Sequence, residues 1–297
     1  MSGERSTGGS AQNKNRDGTG PVMTATVEAR DVTMEIRSFV ALGDSFTEGL
    51  DDPAADHSGY RGWADRFAQR LAAHQPGLRY ANLAVRGKLL SEVAEEQIPR
   101  AVAMAPDLVS IAAGGNDMLR PRTDPDELAE TFDEAVQTLL SSGSRVLIIA
   151  GFDPRFPVLR LIRGKAAAYN MHLRAIADRY QCDVVDMWPM SVLRDPRTWS
   201  PDRLHLSSDG HRRVALRVCE VMGVPADEDW REPWPAQGTT ATRYAGWLAA
   251  RRTDARWARV HAAPWVSRRL RGVSSGDDME PKRPELLPVP ATPCGAP

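Results

Sequence analysis

The chain has 297 residues, 42% hydrophobic and 26% charged, with 38 basic against 39 acidic residues and a formal net charge of −1. Those values are ordinary for a soluble globular protein and exclude collagen-like, coiled-coil and wholly disordered chains. The near-neutral balance makes no case for nucleic acid, the three scattered cysteines (Cys182, Cys219, Cys294) form neither a disulfide framework nor a metal-ligand pattern, and no apolar run approaches a bilayer span.

In chain order, residues 1–33 are rich in Gly, Ser, Thr and Asn and lack an apolar stretch of signal-peptide length. They read as a disordered leader of a cytoplasmic protein, with Met1, Met23 and Met34 as alternative starts. Short apolar runs follow at Glu35–Leu42, Leu78–Ala84, Asp107–Ala113, Arg145–Gly151 and Asp183–Met187, the pattern of strands buried on both faces. Helical periods separate them at Tyr60–Ala73, Leu89–Met104, Asp126–Ser141 and Ala166–Tyr180. The third opens on Thr123 or Asp124 as a cap, with Pro125 in the first turn. A last helical period covers Ser208–Met222. Five strand–helix units predict an α/β fold over residues 34–222: a doubly wound, parallel, five-stranded sheet with helices on both faces and a site at the strands' carboxyl ends.

Residues 223–271 read as a C-terminal helical extension. Its 243–271 segment carries eight arginines against one acid, interleaved with Tyr244, Trp247, Trp257 and Trp265. One reading is weak association with an anionic membrane surface or with nucleic acid. The preferred reading is a helix packed on the body through its aromatic residues. Asp227–Trp234 is expected to be a loop crossing to that helix, its tryptophans either covering the body or bordering the pocket. Residues 272–297 hold six prolines and read as a disordered tail.

Chemistry concentrates in four short blocks. Gly43-Asp44-Ser45-Phe46-Thr47-Glu48-Gly49 directly follows the first strand, where glycines permit a tight turn and place a serine at the sheet's functional edge. Asn82-Leu83-Ala84-Val85-Arg86-Gly87 ends the second strand with a glycine N–H. Gly114-Gly115-Asn116-Asp117 ends the third with a carboxamide. Asp202-Arg203-Leu204-His205 lies between the last strand and the last helix, an imidazole three residues after a carboxylate. Each block has a plain reading by itself: Ser45 as a helix cap, Asn116 as an Asx-turn residue, Asp202 as a turn cap. Their order and their placement at one sheet edge point instead to a serine that needs a base within reach.

Together the blocks resemble the SGNH (GDSL-type) hydrolase family over about residues 34–222, with Ala84 standing where the family often has glycine. A G-x-S-x-G elbow is absent, which argues against the α/β-hydrolase superfamily. The resemblance implies Ser45 as nucleophile, His205 as general base and acid, and Asp202 as the group that orients the imidazole. It further implies an oxyanion hole from the Ser45 and Gly87 backbone N–H groups and the Asn116 amide. The implied activity is carboxylic ester hydrolysis through an acyl-enzyme on a small or lipid-like substrate. Acyl transfer or deacetylation on the same triad is the alternative. A second alternative is a non-catalytic surface-binding protein working through its Arg/Trp segment.

His211 is assigned a solvated or packing role rather than catalysis, Asp44 and Asp117 structural roles in their turns, and Arg86 either solvation or contact with a substrate anion. No H-E-x-x-H, paired C-x-x-C, P-loop or dinucleotide fingerprint is present, so neither metal nor cofactor is expected. The expected partner is a small ester, without nucleic acid or integral membrane contact, and the oligomeric state is open. Phe156–Ile162 is apolar and reads either as a segment that lines or covers the pocket or as a plain loop.

Overall fold

In the computed structural model, residues 35–54, 59–155, 159–235, 276 and 278–290 are described. Residues 236–271 of the extension, with the Arg/Trp segment, and the leader lie outside them.

The chain runs β1 (Ser38–Gly43), α1 (Ser45–Glu48), α2 (Trp63–His74), β2 (Arg79–Asn82) and α3 (Leu90–Glu92). A π-helical turn at Val93–Gln97 leads into α4 (Ile98–Met104), then β3 (Leu108–Ala112), α5 (Gly115–Met118), α6 (Pro125–Ser141) and β4 (Arg145–Ala150). A 3-10 turn at Leu159–Ile162 precedes α7 (Arg163–Tyr180) and β5 (Asp183–Asp186). Two more 3-10 turns precede α8 (Ser208–Met222), and β6 (Arg283–Pro288) comes last. Asp124 is the cap of α6, its carboxylate accepting the Asp126 N–H at 2.9 Å.

The sheet order is β5-β4-β3-β1-β2-β6. The first five strands are parallel, as the apolar runs predict, and β1 sits where the winding reverses. Residues alternate between the faces with the period of two that a strand imposes. Phe39, Ala41, Leu147 and Ile149 enter the core shared with α2 and α8. Val40, Leu42, Val109, Ile111 and Ile148 enter the core shared with α4, α6 and α7. Aromatic packing thickens the first of these: Phe39 meets Phe67 edge-on at 5.3 Å and stacks on Tyr80 at 5.2 Å.

Two expectations are corrected. The sheet has six strands and is mixed, because β6 pairs antiparallel with β2. Part of the tail read as disordered is therefore an ordered edge strand. Pro284 and Pro288 fit there because an edge strand has one side that needs no ladder donor. The strand is anchored by Lys282, whose ammonium donates to the Glu48 carbonyl, to the Tyr60 carbonyl at 2.9 Å and to the Asp65 carboxylate. Among the described residues, no helix is long and apolar enough to cross a membrane.

The Lys282 anchor ties β6 to the end of α1. Lys282→Ala leaves two carbonyls and a carboxylate short of a donor, so urea denaturation should show a stability loss of about 1–3 kcal/mol.

Candidate active site

β1 ends at Gly43, with φ 146°; a Cβ there would stand 2.3 Å from the Ala112 carbonyl oxygen of β3. Only glycine lets the ends of β1 and β3 come this close. Gln97 clamps the same residue, accepting the Gly43 N–H and donating to the Gly43 carbonyl, both at 2.9 Å. Asp44 then caps α1 by accepting the Phe46 N–H at 3.0 Å. Ser45 is the first residue of that one-turn helix, held at the carboxyl edge of the sheet.

His205 arrives on the loop before α8. A bridge between Trp199 and Leu206 closes this loop, and Ser200 N–H donates to the His205 carbonyl at 2.9 Å. Asp202 Oδ1 accepts the N–H groups of Leu204 (2.9 Å) and His205 (3.0 Å), which turns Oδ2 onto the ring. Oδ2 lies 2.5 Å from His205 Nδ1, and His205 Nε2 lies 3.1 Å from Ser45 Oγ. The three side chains predicted from separate blocks thus form one chain of contacts. With the Nδ1 hydrogen on Asp202, Nε2 is left to accept the Ser45 hydroxyl.

Burial opposes the charge on Asp202, but the His205 hydrogen bond and charge, with backbone and Ser200 donors, hold its carboxyl well below the usual carboxylate range. Burial also opposes an imidazolium at His205. The Asp202 hydrogen bond and charge, helped by Asp51 and Asp44, nevertheless raise it above its ordinary 6.5.

Gly87 occupies a turn with φ 78°, and neither its N–H nor that of Ser45 donates to a backbone acceptor among the described residues. The Asn116 amide donates to Asp44 Oδ2 at 3.1 Å and to the Lys88 carbonyl at 3.0 Å. Asp44 therefore does more than cap a helix, since its two oxygens couple the serine turn to the carboxamide. Its burial raises its carboxyl to about 6. Asp117 accepts the Leu90 N–H at 3.0 Å, the structural role expected of it.

Other residues are committed to contacts outside the Ser45–His205–Asp202 chain. His211 is buried beneath it, accepting the Trp63 N–H at 3.2 Å, and burial drives it down to about 3, so it stays neutral and packs. Arg86 pairs with Glu48 and lies over the Tyr60 ring at 5.1 Å, so its charge is already met by the protein. Trp230 and Trp234 pack around Arg213 and α8, away from the pocket; the Arg213 guanidinium lies 3.9 Å from the Trp234 ring centre. Gln97, Asp51 and Ser200 bear on the site without a sequence signal, because each reaches it through folded contacts rather than spacing.

A cavity of about 1130 Å³ opens from Ser45, Gly87, Asn116, Asp202 and His205. Its lining is mainly apolar, including Met118, Leu119, Phe152, Leu159, Ile162 and Leu173. Leu159 and Ile162 line the pocket, the first of the two readings of their segment, while residues 156–158 lie outside those described. Asp51, Asp202 and His205 offer three potential cation ligand atoms within 4.8 Å of one another. The His205 and Asp202 atoms of that set are already joined by the hydrogen bond described above.

A family model for GDSL-like lipases and acylhydrolases matches residues 41–213. No curated protein matches the sequence. Among solved structures, the chain is similar to LAE5, an alpha/beta hydrolase enzyme from the metagenome of Lake Arreo, Spain, at 21% identity and TM-score 0.55, covering 63% of this chain and 95% of that one. It is also similar to Axe2, an acetylxylan esterase from Geobacillus stearothermophilus, at 20% identity and TM-score 0.54, covering 67% and 99%. A third is the psychrotrophic esterase EstA from Pseudoalteromonas sp., at 13% identity and TM-score 0.52, covering 63% and 97%. At these identities the likeness is one of fold.

The His205–Asp202 contact has opposite consequences for stability and turnover. A raised histidine stabilises fully below its unfolded value and loses that contribution as pH rises through its folded value; the lowered Asp202 stabilises above its unfolded value and loses it in acid. The pair is thus most stabilising between about pH 4 and 6.5. A base must be neutral, so kcat/KM for an ester should rise with pH to a midpoint above 6.5, the ordinary histidine value. Asp202→Asn should lower that midpoint, which a pH–rate series on both proteins measures.

Proposed function

The chain belongs to the GDSL-like lipase/acylhydrolase family, whose chemistry is ester hydrolysis, and on that premise we propose that it cleaves acyl esters through a covalent acyl-enzyme on Ser45. The observation that carries this reading is the continuous contact Asp202–His205–Ser45 at one end of a largely apolar cavity.

Ser45 Oγ attacks the ester carbonyl carbon while His205 Nε2 takes the hydroxyl proton, leaving a tetrahedral oxyanion and an imidazolium held by Asp202. Collapse breaks the bond to the leaving alcohol, which receives the proton from Nε2. A water then repeats the sequence: its proton passes to Nε2, its oxygen bonds to the acyl carbon, and the proton returns to Ser45 as the free acid departs. The Ser45 and Gly87 N–H groups supply the oxyanion with donors that are not committed to a backbone acceptor among the described residues. Asn116 adds a third by sharing one of the hydrogens it now gives to Asp44 or Lys88.

The apolar wall supports a lipid-like acyl group over acetyl. Each methylene buried there contributes about 0.8 kcal/mol, or about fourfold in kcat/KM while the chain still finds wall. A ladder of p-nitrophenyl esters from acetyl to dodecanoyl tests this on wild type and Ser45→Ala. The expected result is Ser45-dependent turnover with an optimum beyond butyryl; an acetyl optimum would refute the lipid-like substrate, and equal rates in both proteins would refute the acyl-enzyme. Leu159→Trp should move the optimum to shorter chains. Asn116→Ala should cost about 3–4 kcal/mol of transition-state stabilisation, read as a fall in kcat of about 10²–10³.

A further inference from the structure

We propose that Asp51 is a second carboxylate of the His205 site: a positioning residue that supports Asp202 through Ser200 and takes over the imidazole when Asp202 is removed. This rests on the reading of Ser45, His205 and Asp202 given above.

Ser200 Oγ lies 2.7 Å from Asp51 Oδ2 and 2.6 Å from Asp202 Oδ1. A hydroxyl has one hydrogen, so this one links two carboxylates and serves them in turn. Asp51 Oδ2 also lies 4.0 Å from His205 Nδ1, the nitrogen that Asp202 Oδ2 meets at 2.5 Å. Two carboxylates from different loops therefore face one ring nitrogen. At 4.0 Å Asp51 forms no hydrogen bond, but its charge still favours the imidazolium of the reaction. The charged groups around the ring are Asp202 from its own loop, Asp51 from the loop after α1, and Asp44 at the start of α1.

Asp51 is itself exposed, but the turn that carries it is held at the next residue. Its backbone is left-handed, φ 69°, a conformation that aspartate accepts more readily than most residues. The next residue, Asp52, is fully buried and grips Arg66 through both oxygens, at 2.9 and 3.0 Å. The Asp52 N–H donates to the Gly49 carbonyl at 3.1 Å, and the Asp52 carbonyl accepts the Arg61 N–H at 2.6 Å. A carboxylate placed for solubility needs no such mounting. This one is set on a rigid turn beside the imidazole.

The test compares kcat/KM on the best p-nitrophenyl ester for wild type, Asp51→Asn, Asp202→Ala and the double variant, with Ser45→Ala as the zero and circular dichroism to verify folding. Asp51→Asn keeps a Ser200 acceptor and should cost about threefold or less in wild type. Asp202→Ala should retain activity clearly above Ser45→Ala, and adding Asp51→Asn should remove at least about tenfold more. The proposal is overturned if Asp51→Asn costs the same factor in both backgrounds, or if Asp202→Ala already sits at the Ser45→Ala level. If Ser45→Ala is as active as wild type, the acyl-enzyme reading falls and carries this one with it. Should Asp202→Ala not fold, the NMR titration of His205 in Asp51→Asn decides: a downward displacement supports the proposal, and an unmoved midpoint overturns it.

Discussion

The approach of Gly43 to the Ala112 carbonyl, closer than any side chain would allow, brings the ends of β1 and β3 together at the reversal of the winding. In a doubly wound sheet, chains leave neighbouring strands toward opposite faces at that point and open a crevice beyond their carboxyl ends. Ser45 leaves from β1 and Asn116 from β3, so a close backbone contact decides how near the proposed nucleophile and amide donor can stand. Gln97 fixes the same peptide through two hydrogen bonds, and Asp44 ties the serine turn to the amide. The geometry of the candidate site is thus set by backbone before any reacting side chain is considered.

Charge is the second constraint. Asp44, Asp51 and Asp202 all act on one imidazole, and burial raises the cost of the charges on Asp44, Asp202 and the imidazole itself. The protein divides the cost unequally. Asp202 is surrounded by donors and held ionised, whereas Asp44 has its carboxyl raised to about 6, so its contribution to stability falls as pH rises between its unfolded value and that point. His205 and Asp202 are most stabilising where the imidazole is protonated and could not serve as a base. The general base work proposed for His205 would therefore come at some expense to the fold, as expected where function and stability compete.

The sheet was legible because its strands are continuous apolar runs and its helices alternate with them. Val146–Ile149, for example, has no other plausible place than a strand with two covered faces. The blocks around Ser45, Gly87, Asn116 and His205 were legible because each sits at a strand or helix boundary. What escaped had no local signature. Arg283–Pro288 reads as a proline-rich tail, since a strand that pairs on one side only can carry prolines that a central strand excludes. Arg86 reads as a free cation until folding sets Glu48 and Tyr60 against it, and the tryptophans of the 227–234 loop read equally as body or pocket residues until Arg213 draws them onto α8. Contacts between residues far apart in sequence decide all three.

The Asp52–Arg66 pair shows how such distant contacts can serve geometry more than stability. Removing two charges from water costs several kcal/mol per ion before their attraction repays it, and an apolar pair of similar volume is often as stable. A buried ion pair has a directional demand that an apolar pair lacks. Arg66 meets both Asp52 oxygens and also donates to Ser208 Oγ at 2.8 Å, so one guanidinium registers the loop after α1 against the first turn of α8. Those two segments flank the chain that carries Ser200, Asp202 and His205. An apolar replacement could fill the same space and leave the fold as stable, yet it would let the two segments slide, and the distance between Asp51 and the His205 ring would no longer be fixed.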